Sequence, residues 1–377
     1  MDRMRIGFDA KRAFFNASGL GNYSRNLLRS LNSYFPDNDY ILYTPSISSS
    51  IFNYSEQKFI LKEPEGFLNK RLKSYWRSFS LAKQVKIDKL DIYHGLSHEL
   101  PYNIQKTGIK TVVTIHDLIF LRFPYLYRSF DRKIYLKKFK YACEIADLII
   151  AVSKQTANDI KKYFGIDESR IKVIYQGCNP VFRKKINDGR RAQIIKKYGF
   201  PESFILFVGT IEERKNLLAV LKAMDSGKIK LPLVVIGRKT SYYKKVKKYI
   251  DSNKIKEIYF LESILNEELP AIYQQAEVFV YPSVFEGFGI PVIESLYSGT
   301  PVITSKNGCF PEAGGPSSMY IDPLNVEEFA DAIKKIIEDR ELRQKMINDG
   351  YNYACNFNED IVAKNIMNAY KQIIQSE

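Results

Sequence analysis

Unbroken apolar runs punctuate the chain: VVTI at 112–115, LIIAV at 148–152, ILFVG at 205–209, LVVIG at 233–237 and VFVY at 278–281. Strict alternation of apolar and polar residues would mark strands with one wet face. Unbroken runs mark strands covered on both faces, as in parallel sheets. Stretches of helical spacing separate them from end to end. In the first half the expected strands are Arg5–Asp9, Tyr40–Thr44, Asp91–Gly95, Thr111–His116, Leu148–Ser153 and Lys172–Gln176. In the second half they are Phe204–Gly209, Leu233–Gly237, Ile258–Leu261, Val278–Tyr281, Pro301–Thr304 and Met319–Ile321. Two consecutive series of this kind imply two doubly wound, Rossmann-like α/β domains rather than one large sheet. The polar stretch NPVFRKKINDGRR (179–191) interrupts the alternation, so the expected domains are 1–180 and 181–358. The amphipathic segment Glu359–Ile374 follows the second domain, and the tail 359–377 is expected to cross back onto the first.

Composition narrows the class. A chain of 377 residues is too long for one ordinary core and fits two domains. No apolar run approaches the roughly 18–20 residues of a bilayer span, and the N-terminus lacks a signal-peptide core. A cytoplasmic protein is expected, peripheral to the inner face of the plasma membrane if it meets lipid. Four cysteines are scattered singly and there are only three histidines, which argues against a disulfide framework or a histidine-rich metal centre. The net charge of +15 calls for an anionic partner: nucleic acid, anionic lipid or a charged small substrate. Lysine-rich helix faces in water are the competing explanation. No nucleic-acid-binding module is present, and none is expected to bind.

The chemistry concentrates in EGFGIPVIE, residues 286–294, delivered by the strand-like run Ala276–Ser283. A strand, a glycine turn and a helix start put unpaired backbone N–H groups and a positive dipole end at one point, which receives anions. Glu286 falls on the approach loop and Glu294 inside the helix, so one ligand could touch both. A glycosidase pair would also use two carboxylates, but rarely so close in sequence beside a glycine turn. Arg214 and Lys215, in GTIEERKN, stand at a helix start where cations oppose the dipole. A bound diphosphate would explain them; two solvated cations would be the plain alternative. Gly19 and Gly21, in SGLGNY after the first strand, would let a ligand approach the backbone. His116 ends the strand TVVTIHD at the binding edge of a parallel sheet, either donating to a ligand or paired internally. His94 and His98 are weaker candidates. Two basic, aromatic-rich stretches, Lys70–Lys86 and Arg122–Lys140, have the make-up of interfacial helices, and equally of ordinary amphipathic ones.

Taken together, these residues resemble a family. EGFGIPVIE, preceded by VFVYPS and followed by SGTPVITS, is similar to the donor-site signature of family 4 retaining glycosyltransferases of GT-B fold. SGLGNY, TIHD, VIYQGCNPVF and FVGTIEERKN stand in the family's order, and the likeness is greatest to bacterial mannosyltransferase-like enzymes of surface polysaccharide assembly. The resemblance implies two Rossmann-like domains facing across a cleft, with a nucleotide-sugar donor on the second and a saccharide or lipid-linked saccharide acceptor on the first. It implies that Glu286 faces the transferred sugar and Glu294 holds the ribose hydroxyls. The backbone of Phe288, Gly289 and Ile290 would meet the diphosphate, which Lys215 and Arg214 would neutralise in place of a metal. Gly19 and Gly21 would approach donor or acceptor, and His116 would contact the sugar. Neither cofactor nor metal is implied. Two departures stand out: Thr210 where many members carry arginine, and Gln176 where asparagine is common. Mannose from GDP-mannose is the first expectation, with a UDP-hexose or UDP-N-acetylhexosamine next. A nucleotide-sugar epimerase or glycoside phosphorylase could share the fold, and an anionic membrane surface is a further expected partner.

Overall fold

The computed structural model describes residues 3–47, 51–55 and 57–375, and the chain divides into two compact units. One comprises residues 1–177 with 359–377; the other comprises 178–358. Residues 376 and 377 of the expected C-terminal helix lie outside the described residues.

The first unit carries seven strands: β1 Arg5–Asp9, β2 Asp39–Tyr43, β3 Phe59–Lys62, β4 Ile92–Gly95, β5 Lys110–Ile115, β6 Leu148–Ala151 and β7 Ile171–Val173. They form one sheet in the order β3-β2-β1-β4-β5-β6-β7, and every pair is parallel. Side chains alternate between faces along each strand. Ile6, Phe8, Leu42, Ile92, Val112 and Ile150 meet the helices Gly19–Tyr34 and Glu359–Gln375 on one side. Ile41, Tyr43, Tyr93, Val113 and Ile149 meet the helices Leu81–Ile87 and Ser129–Ile145 on the other. Both faces are therefore dry, which is why the strands read as unbroken apolar runs. The final helix contributes buried Ile366, Met367 and Tyr370 to this core.

The second unit carries six: β8 Ile205–Val208, β9 Leu233–Ile236, β10 Ile258–Leu261, β11 Val278–Tyr281, β12 Val302–Ser305 and β13 Met319–Ile321. Their order is β10-β9-β8-β11-β12-β13, again wholly parallel. In both sheets the winding direction reverses once, between β1 and β4 and between β8 and β11. At such a switch point the loops leaving adjacent strands diverge and open a crevice at the carboxyl edge, where ligands bind.

One strand escapes the sequence pattern. β3 is FILK at a sheet edge, none of its residues fully buried, so it carries neither the long apolar run nor a clean alternation. All four cysteines are free thiols. No helix among the described residues is long and apolar enough to cross a membrane.

Candidate active site

In the second unit, the loops leaving β8 and β11 lie at the switch point and carry the residues that sequence singled out. After β8 the chain turns at Gly209 (φ 151°), a backbone region that side chains rarely adopt. Gly237, after β9, approaches so closely that a Cβ there would lie 1.9 Å from the Gly209 carbonyl oxygen. The chain then makes a short 3₁₀ turn, Glu213–Lys215, before the helix Leu217–Ser226. After β11 it runs through Phe285 to Gly289, whose φ of 113° starts the helix Ile290–Tyr297. The Val284 N–H donates to the Arg214 carbonyl at 2.8 Å, which ties the two loops together.

That tie brings Arg214, Lys215 and Glu286 into one buried cluster. Glu286 Oε1 is 2.6 Å from both Arg214 Nη1 and Lys215 Nζ, so one carboxylate oxygen pairs with two cations. Arg214 also donates to the Phe285 carbonyl and the Glu212 carboxylate, each at 2.6 Å. Lys215 donates to the Tyr281 hydroxyl and lies 4.6 Å from the centre of that ring. These are not solvated cations: the Arg214 and Lys215 side chains are only 16% and 11% exposed. Burial pushes Lys215 below the usual lysine range, with Glu286 pulling the other way. Burial would raise the Glu286 carboxyl, but Lys215 and Arg214 outweigh it and hold it at about 2.

Glu294 shows the opposite balance. It lies inside the helix Ile290–Tyr297 and accepts from the Tyr273 hydroxyl at 3.1 Å. Burial pushes its carboxyl up to about 7, with Tyr273 and Lys215 opposing only in part. The glycine turn thus presents one carboxylate held ionised and one poised near neutrality. Phe288 is buried against Phe357, and Gly289 and Ile290 open the helix with N–H groups directed outward from its N-terminus.

In the first unit, His116 follows β5 and is buried. Its Nε2 donates to the Leu96 carbonyl at 2.9 Å and its Nδ1 accepts from the Gln176 amide at 2.9 Å. Both ring nitrogens are therefore engaged internally, one of them by Gln176. Burial lowers His116 to about 4, the Leu96 bond opposing, so the ring is neutral at pH 7. His98 stacks on Phe139 at 4.3 Å, and the His98 and His116 ring centres are 5.1 Å apart. His94 is a core residue on β4, bonded to Tyr370 and Thr114. The two glycines of SGLGNY part ways. A Cβ on Gly21 would lie 1.7 Å from the Asn16 carbonyl oxygen, so this glycine serves a close approach within its own chain. Gly19 is exposed at the start of the helix Gly19–Tyr34 and faces open space.

Sequence reasoning missed Glu212, Tyr281, Tyr273 and Arg12, whose positive charge reaches His116. Tyr281 was findable, because it ends β11 at the switch point. Tyr273 sits on the helix Leu269–Gln275 with no local signal to mark it. Among the described residues, no group of three or more His, Cys, Asp or Glu side chains is placed to hold a metal ion.

Comparison with known proteins follows the division into units. The profile of Glycosyltransferase Family 4 matches residues 17–182, and that of Glycosyl transferases group 1 matches residues 190–353. The chain is similar to the O-antigen chain mannosyltransferase B of Escherichia coli, 28% identical over 288 residues and 74% of each chain. It is similar also to the O-antigen chain mannosyltransferase RfbU of Salmonella typhimurium, 27% identical over 265 residues, 70% of this chain and 69% of that one. Among solved structures, HepE of Anabaena in complex with UDP and glucose superimposes with a TM-score of 0.77 at 15% identity, covering 98% of this chain and 100% of HepE.

Proposed function

Because the chain belongs to the family 4 glycosyltransferases, with a group 1 domain as its second half and a GT-B fold, we propose that it moves mannose from GDP-mannose to a hydroxyl of a saccharide or lipid-linked saccharide acceptor, retaining anomeric configuration. The observation that carries this reading is the buried Arg214–Lys215–Glu286 cluster beside the glycine turn. Mannose is favoured because two of the relatives, matching over 74% and 70% of this chain, are named O-antigen chain mannosyltransferases.

In this proposal the diphosphate sits at the start of the helix Ile290–Tyr297, against the backbone of Phe288, Gly289 and Ile290. Glu294 accepts hydrogen bonds from the ribose hydroxyls. Glu286, kept ionised by its two cations, faces positive charge developing at the anomeric carbon. As the sugar–phosphate bond breaks, negative charge grows on the departing diphosphate, and Lys215 and Arg214 stabilise it without a metal. Groups fixed in place before the reaction lower the barrier because they need not reorganise during it. The first unit supplies the acceptor side, with Gly19 leaving room at a helix start. Gly21 shapes the loop that carries Gly19, and His116 holds the sheet edge as a neutral ring.

A thermal-shift panel of GDP- and UDP-sugars tests the donor, since a ligand that binds only the folded chain raises its melting temperature. GDP-mannose is expected to give the largest shift. A larger shift with a UDP-hexose or UDP-N-acetylhexosamine would reassign it. A donor isomerised without acceptor would point instead to an epimerase, and release of a sugar phosphate to a phosphorylase.

We also propose that the first unit docks on anionic membrane. Phe67, Leu68, Tyr125 and Phe130 are each at least 69% exposed, and lysines and arginines surround them in sequence. The two stretches meet through stacked Phe79 and Tyr102, through Tyr141 beyond them, and through Glu99, which pairs with both Arg77 and Lys138. Flotation should show binding to vesicles containing anionic lipid and little to neutral ones. Equal flotation with both would remove the idea.

A further inference from the structure

A large cavity opens in the second unit, on the side away from the glycine turn. The helix Ile290–Tyr297 begins at that turn, at the carboxyl edge of the sheet, and ends at Ser298 and Gly299, where the chain heads for the start of β12. Its 8 residues, at 1.5 Å each, put the two ends about 12 Å apart. The cavity lies at the far end and has a volume of about 930 Å³. By liquid volume that is room for roughly thirty waters, the size of a ligand site and far more than one phosphate fills. We infer that it is a second, non-catalytic binding site whose ligand is an acidic oligosaccharide, sugar rings that carry a carboxylate or phosphate. The inference does not depend on which sugar the glycine turn transfers.

One wall is cationic. The segment that leads into the helix Asp188–Tyr198 brings Arg183, Lys185 and Arg191 to the cavity. Asp188 is the one acid among the lining residues; it pairs with Arg191 Nη2 and is itself 94% exposed. Arg183 is anchored, its Nη1 donating to Asn358 Oδ1 at 2.8 Å and its guanidinium 5.6 Å from the centre of the Tyr297 ring. Lys185 is exposed and makes no salt bridge among the described residues. Lys185 and Arg191 are therefore the cations that can meet an acid group in the cavity.

Another wall is built of amides and an aromatic ring. Along the helix Arg340–Ala354, Gln344, Asn348, Tyr351 and Asn352 recur at i, i+4, i+7 and i+8, so they share one face, and all four line the cavity. Gln344 Nε2 donates to Asn348 Oδ1 at 3.0 Å, which leaves both amides with further donor and acceptor capacity. The Tyr351 ring is exposed and stands edge-on to Tyr297, 6.3 Å between centres, offering an apolar surface to the C–H face of a sugar. Two polar atoms of lining residues, Arg191 Nε and Ser298 Oγ, are buried without a hydrogen-bond partner. Buried polar atoms normally have one, and the oxygens of a ligand would supply it. A simple anion would answer the cations alone. Hydroxyls both donate and accept, so sugar rings match the amides and the serine, and an acid group on them matches Lys185 and Arg191.

The test is calorimetric titration of the full chain with trigalacturonate, maltotriose and inorganic phosphate, using wild type, Lys185→Glu, Lys185→Gln/Arg191→Gln and Lys215→Ala. The first probe carries a carboxylate on every ring, the second is a neutral trisaccharide and the third is an anion without a sugar. Trigalacturonate should bind wild type at millimolar concentration or below, and about tenfold or more tighter than either other probe. Its affinity should fall by about tenfold or more in Lys185→Glu and in the double variant, as expected when a charge-assisted contact is removed. Because Lys185 is exposed, Lys185→Glu should melt like wild type, and it carries the test if the double variant does not fold. Equal affinity of wild type and Lys185→Glu overturns the inference, as does the absence of trigalacturonate binding at millimolar concentration. Maltotriose binding as tightly would show that no acid is recognised, and phosphate binding as tightly that no sugar is; each overturns it. Lys215→Ala should bind trigalacturonate like wild type. A loss there would put the ligand at the glycine turn and remove the second site, while leaving the donor reading to its own test.

Discussion

Glu286 and Glu294 belong to one glycine turn, yet their surroundings drive them in opposite directions. Lys215 and Arg214 hold Glu286 at about 2, well below the usual value. Its stabilising contribution is therefore complete above about pH 4.5 and is lost as pH falls from there toward 2. Replacing it with glutamine leaves buried Lys215 without a paired carboxylate and Arg214 with Glu212 alone. Glu286→Gln should cost about 3–5 kcal/mol in a urea melt, and Glu286→Gln/Lys215→Met should recover part of that loss. If the double variant is no more stable than the single one, the cluster is not coupled as described. Glu294, raised to about 7 by burial, has the reverse sign: its ionisation costs stability as pH rises from about 4.5 to 7. Function should run the other way, because the ionised carboxylate is the better acceptor for two ribose hydroxyls. The KM for donor is predicted to fall as pH rises from 6 to 8, and to lose this dependence in Glu294→Gln. A profile unchanged by that substitution would argue against the ribose role.

At the scale of elements, the glycines separate packing from access. Gly21→Ala forces a Cβ onto the Asn16 carbonyl and Gly237→Ala onto that of Gly209. Each should cost about 1–3 kcal/mol or more by thermal melt. Gly19→Ala meets open space and should leave the melt within about 0.5 kcal/mol of wild type. If Gly19 borders the ligand, the same variant should still raise an acceptor or donor KM. The sequence could not distinguish Gly19 from Gly21, since both stand in one SGLGNY motif and only the path of the Asn16 carbonyl tells them apart. Strands were far more legible. Burial on both faces leaves an unbroken apolar signature in β5, β6, β8, β9 and β11, whereas the edge position of β3 leaves none. The EGFGIPVIE turn was legible because strand, glycines and helix start follow one another directly. The pairing of Glu286 with Arg214 and Lys215 spans two loops some seventy positions apart, and only the parallel β8–β11 contact creates it. His116 was legible by position but not by role, because its partners Leu96 and Gln176 come from two other loops.

At the scale of the molecule, the chain returns to its first unit after completing the second. The helix Glu359–Gln375 inserts Val362, Ile366, Met367, Tyr370 and Ile373 into the core beneath β1 and β4, and Tyr370 is 2.6 Å from His94 Nδ1. Burial of five large side chains at roughly 1.5–3 kcal/mol each is comparable to the whole stability of a domain. A chain ending at residue 358 is expected to lose the cooperative melt of the first unit, and an unchanged melt would refute this. The net charge of +15 is distributed in kind: part of it is buried and paired around Glu286, part lines the cavity at Lys185 and Arg191, and part surrounds exposed aromatics. The central claim is that the Arg214–Lys215–Glu286 cluster drives departure of a nucleoside diphosphate. Its most direct measurement is GDP release from GDP-mannose by wild type, Lys215→Ala and Glu286→Ala, each first shown to be folded. Both variants are predicted to fall by about a hundredfold or more in kcat, and rates near wild type in either would contradict the account.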